Sequence, residues 1–78
     1  MRPEDLRKFV RKRPFFPFRI YVTDGQTYDI RHPDQIIVLR SRAVVGAGSD
    51  SDFPEHLEHI ALVHIVRIKE VSPETRGA

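Results

Sequence analysis

The 78-residue chain contains no cysteine. Neither a disulfide nor a thiolate metal site can therefore reinforce it. The absence also fits a reducing compartment. No apolar run approaches the roughly 20 residues of a membrane span. Residues 1–13, MRPEDLRKFVRKR, hold no hydrophobic stretch of the kind a secretory signal needs. The expectation is a cytoplasmic protein that does not enter a membrane. A glycine-rich phosphate loop is missing as well. The serines, Ser41, Ser49, Ser51 and Ser72, have no base motif beside them. The reading is therefore non-enzymatic, with no cofactor and no small-molecule substrate. There is no internal repeat.

What is present is one small domain. A chain of this length buries only about 60% of the surface its unfolded form exposes. Small chains without staples often oligomerise, so self-association or a protein partner is expected. Charge is unevenly placed. Residues 1–19 hold seven basic side chains against Glu4 and Asp5, and the rest of the chain is net acidic. A basic end of this kind attracts phosphate backbones, or the acidic face of a neighbouring subunit.

Residues 3–12 read as a short helix. Pro3 suits a first helical position, where its missing N–H costs nothing. Glu4 and Asp5 in the first turn and Arg11 and Lys12 in the last match the helix dipole. Leu6, Phe9 and Val10 form one apolar stripe. Some ten residues are too few to be stable alone, so the stripe must pack on something. Pro14 ends the helix. Phe15, Phe16 and Phe18 follow and read as a plug for one end of the core.

Residues 18–23 alternate, with Phe18, Ile20 and Val22 on one face and Arg19, Tyr21 and Thr23 on the other. Asp24-Gly25 signals a turn. A two-residue loop would pair Ile20 with Asp29 and mix the faces. A three-residue loop, Thr23-Asp24-Gly25, pairs Val22 with Gln26, Ile20 with Tyr28, Arg19 with Asp29 and Phe18 with Ile30. A one-residue slip would send every side chain to the wrong face, so the three-residue loop is predicted. The second strand covers about 26–31. His32-Pro33-Asp34 breaks it. A third strand is predicted over 35–45. Its Ile36-Ile37-Val38-Leu39 run suits a strand covered on both faces, or one face in the core and one in a subunit contact. Residues 46–56 form a loop, 57–63 a fourth strand, 65–71 a fifth and 72–78 a disordered tail. The sum is a mainly β single domain over 1–71: a short N-terminal α-helix and five strands. So few strands leave exposed edges unless they curl into a small barrel, bend strongly or pair with a neighbour.

Three segments, Phe18–Gly25, Asp34–Leu39 and Val63–Ile68, resemble the first strand and turn, the third strand and the fifth-strand entry of the Sm-like family. The nearest branch is the bacterial Hfq-type RNA chaperones. The resemblance covers about half the chain and implies a five-stranded Sm/SH3-like barrel that binds RNA. Of that family's uridine-site residues, Gln35 and His64 match. Ile36 stands where the family has a stacking aromatic, Val63 where it has lysine, and Asp29 near where it has glycine. The candidate contact set is therefore Arg7, Lys8, Arg11 and Lys12 on phosphate, with Gln35, Ile36 and His64 near a base or a protein partner. A second pattern, PFxPFRIxxTDGxxYxIxHPD over 14–34, resembles one in short uncharacterised bacterial proteins. It implies a bacterial origin and carries no activity.

Two other clusters carry residue types with ligand chemistry. His56 and His59, with Asp50, Asp52, Glu55 and Glu58 nearby, have ligand chemistry for zinc. In a strand, positions three apart face opposite sides, so solvated polar residues are the better reading. His32 suits a hydrogen bond within its turn. Arg19 and Tyr21 share an outward face that could hold phosphates and stack bases, but Arg19 is expected to pair with Asp29.

Overall fold

The computed structural model describes residues 1–48 and 55–71. One helix, α1 (Pro3–Arg11), precedes six strands: β1 (Phe18–Val22), β2 (Thr27–Ile30), β3 (Ile36–Val38), β4 (Arg42–Ala47), β5 (His56–Ala61) and β6 (Ile65–Glu70). Two 3-10 turns, Pro33–Gln35 and Leu62–His64, join β2 to β3 and β5 to β6. The strands form two antiparallel three-stranded sheets, ordered β2-β1-β6 and β3-β4-β5. The fold is mainly β, as expected. Among the described residues the sheets do not close into a barrel, and there are six strands rather than five.

The first hairpin has the predicted register: Phe18 faces Ile30, Arg19 faces Asp29 and Ile20 faces Tyr28. The Val22 amide donates to the Gln26 carbonyl at 3.0 Å, closing a three-residue loop. Gly25 sits at φ 88°, which a side chain would resist. Asp24 Oδ1 accepts the Gln26 amide at 2.9 Å and stiffens the turn.

The predicted third strand over 35–45 is two strands. Gln35 belongs to the 3-10 turn. The chain then reverses at Arg40-Ser41, where the Leu39 amide donates to the Arg42 carbonyl at 2.8 Å. Ser41 is its only turn-favouring residue, with no Gly, Pro, Asn or Asp beside it, so composition signals the turn only weakly. The hairpin sets Ile36 opposite Val45, Ile37 opposite Val44 and Val38 opposite Ala43. The 57–63 strand is β5, ending at Ala61 because Leu62–His64 make the second 3-10 turn. The expected disordered tail, and most of the predicted 46–56 loop, lie outside the described residues.

One core cluster joins both sheets and the helix: Leu6, Phe18, Ile20, Ile30, Ile36, Ala43, Val45, Ile60, Leu62 and Ile65. Leu6 is fully buried, and Phe9 and Val10 pack against the cluster. Burying one such leucine side chain is worth about 2 kcal/mol, which a nine-residue helix needs to persist. Phe18 meets Phe9 and Phe15 with ring centroids 5.6 and 5.9 Å apart. Phe16 instead lies beneath Lys12, whose ammonium is 4.7 Å from its ring centre.

Candidate functional site

The predicted contact residues do not form one cluster. Arg7, Lys8 and Arg11 are exposed on α1 and make no ion pair among the described residues. With Glu4 and Lys12 they line an open, shallow surface. Lys12 is partly engaged, donating to Glu70 Oε2 at 3.0 Å. That pair ties the helix end to β6. At the N-terminal end, Glu4 titrates below its ordinary value. Its own backbone N–H is the main cause, and Arg2 adds to it.

Gln35 and Ile36 are taken up by the fold. Ile36 is buried in the core and presents no surface to a base. The Gln35 amide nitrogen donates to the Asp29 carbonyl at 2.9 Å and to the Gly46 carbonyl at 3.0 Å. Its carbonyl oxygen accepts the Arg31 amide at 2.9 Å. One side chain thus clamps β2 in one sheet to β4 in the other, at the point where the chain crosses between them.

His64 is exposed. Its Nδ1 lies 3.2 Å from Thr23 Oγ1, and its carbonyl accepts the Thr23 amide at 2.9 Å. It anchors the first hairpin to the second 3-10 turn. Its other ring nitrogen makes no hydrogen bond among the described residues. His56 pairs with Glu58 at 2.8 Å, while His59 lies on the opposite face, beside Val44. No metal-ligand cluster exists among the described residues. Tyr28 titrates above its ordinary value because burial, and then Glu58 and Asp24, disfavour the phenolate. It therefore remains a neutral phenol packed on the core.

Two sets of exposed side chains stand out. The first is apolar. Ile37 is 59% exposed, Val63 76%, Val66 63% and Leu57 61%. The second is the outer face of the β2-β1-β6 sheet. There Asp29, Arg19 and Lys69 form one cross-strand row, and Thr27, Tyr21 and Arg67 form the next. Arg19 holds Asp29 through Nε at 2.6 Å. Asp29, and less strongly Tyr21, raise the Arg19 pKa further above its already high ordinary value. The Arg67 guanidinium stacks 5.1 Å from the Tyr21 ring centre.

Arg67 and Lys69 reach that face because β6 carries a bulge. Tyr21 pairs with Arg67 and Val22 with Ile65, so Val66 is the extra residue. Without the bulge, Arg67 and Lys69 would oppose Ile20 and Phe18 and point into the core. The sequence signal is two adjacent apolar residues, Ile65-Val66, followed by strict Arg-Ile-Lys alternation. No protein-family model, curated protein or solved structure matches the chain. No helix among the described residues is long and apolar enough to cross a membrane.

Proposed function

We propose that the chain is a non-enzymatic β interaction module that associates with itself or with a protein partner. The contact runs through the Ile36–Leu39 strand and the Val63–Ile68 edge. One observation carries this reading: Ile37, Leu39, Val63 and Val66, all on those two segments, are exposed large hydrophobic side chains. Among the described residues, both β3 and β6 are also edge strands, with one side free of a partner strand. Unpaired edges beside apolar side chains favour strand-mediated association. Light scattering across a concentration series should give a mass above that of one chain. Ile37→Lys with Val66→Lys should return it to monomer without lowering the melting temperature. A monomer at high concentration that recovers no partner would sink the proposal.

A second reading is an Sm-like RNA-binding protein using the helix. It is favoured by Arg7, Lys8 and Arg11, which are exposed and free of ion pairs among the described residues. Affinity for single-stranded RNA should then fall steeply with salt. Replacing the three basic residues by alanine should flatten that slope by about 2, at roughly 0.7 per neutralised phosphate. No shift of RNA at low salt counts against it.

A further inference from the structure

We propose that the outer face of the β2-β1-β6 sheet binds single-stranded nucleic acid, with the Tyr21–Arg67 stack as a base platform and Lys69 and Arg67 as phosphate contacts. The inference stands on the geometry of this face and not on self-association or on the helix. α1 packs from the core side, where Phe9 meets Phe18, so its basic residues belong to a different surface.

The composition of the face points to the ligand. Arg19, Arg67 and Lys69 are its cations, and Asp29 is its acid, already bound by Arg19. The other nearby acid, Glu70, alternates to the opposite face and is held by Lys12. Arg67 and Lys69 are exposed and make no ion pair among the described residues. They are two positions apart on one strand, about 6.6 Å, so they can meet successive charges of an extended polyanion. The stacked guanidinium and phenol present a π surface, which an acidic peptide does not require and a base does. The exposed aliphatics of this face among the described residues, Val66 at the bulge and Val71 just beyond β6, are single valines and not the broad apolar face that entering a bilayer needs. Among the described residues the face carries strands and no helix that could enter a duplex groove, which favours a single strand.

Fluorescence anisotropy of labelled 12-nucleotide oligo-U and oligo-dT, between 50 and 300 mM salt, tests this. Arg67→Ala with Lys69→Ala should weaken binding at least tenfold. It should flatten the log affinity against log salt slope by about 1.4, as two lost phosphate contacts require. Tyr21→Leu should weaken binding by about 5- to 150-fold, the range set by one lost stacked base, with the slope unchanged. Thermal melts should show both variants folded, and the Arg67/Lys69 double variant carries the test if Tyr21→Leu is destabilised. Four outcomes overturn the proposal. These are no binding by the unsubstituted chain, and binding lost in the Arg7/Lys8/Arg11 alanine variant but unchanged in the Arg67/Lys69 one. The others are polyphosphate competing fully while folded Tyr21→Leu binds normally, and binding to phosphatidylserine vesicles in place of the oligonucleotides. Because mass and oligonucleotide binding are read separately, failure here leaves the self-association reading intact, and the reverse holds.

Discussion

Phe18→Ala should cost the domain about 3–5 kcal/mol of its folding stability. Phe18 is 1% exposed and sits where the helix, the aromatic linker and the first sheet meet. Its ring contacts Phe9 and Phe15, and its strand pairs with both β2 and β6. Truncating such a ring removes its transfer energy and leaves a cavity, together about 3–5 kcal/mol. A domain of this length has only about 4–12 kcal/mol in total. There is no disulfide to restrain the unfolded chain. The melting temperature, followed by circular dichroism, should fall by at least about 12 °C. Phe18→Leu should fall between the two because most of the volume is kept. A shift of only a few degrees in Phe18→Ala would show that the core is not organised around this ring.

That centrality was legible in the sequence. Phe18, Ile20 and Ile30 were placed on one face by alternation, and the Asp24-Gly25 turn fixed how they met. The helix stripe, Leu6, Phe9 and Val10, was visible in the same way, and it packs on the chain's own core. What stayed hidden had no local signature. The Arg40-Ser41 reversal has only Ser41 as a turn-favouring residue, so β3 and β4 read as one strand. The bulge at Val66 depends on which face of β6 the core demands, a fact set by β1 rather than by β6. It decides the composition of the outer face, and so the most cationic sheet surface came from residues outside the predicted set. Gln35 shows the opposite error. Its position matched a family's base contact, yet its amide is saturated by three backbone groups. Motif position suggested recognition, and hydrogen-bond accounting gives a structural role.

Gln35→Leu should cost about 1–3 kcal/mol, more than a half-exposed polar residue ordinarily would. The substitution keeps most of the volume and removes every hydrogen bond. It strands the Asp29 and Gly46 carbonyls and the Arg31 amide, which are backbone groups that cannot turn away. Leaving a buried polar group unpaired costs about 1–3 kcal/mol; that applies to the part-buried Gly46 carbonyl, while the Asp29 carbonyl and Arg31 amide are open to water and add little. Gln35→Glu separates hydrogen bonding from packing. A carboxylate there would face two carbonyl oxygens with no proton to donate. Those oxygens favour the protonated form, so the folded-state pKa should lie above the unfolded value of about 4.3. Below that value the carboxyl is protonated in both states and donates to one carbonyl, so the variant should be closest to the parent there. As pH rises the folded state holds the proton longer, and stability should fall until the folded pKa is passed. Urea unfolding of the parent and the Glu variant between pH 4 and 8 checks the sign. A stability difference that does not change with pH would mean that Gln35 acts by packing and not as the clamp between the sheets.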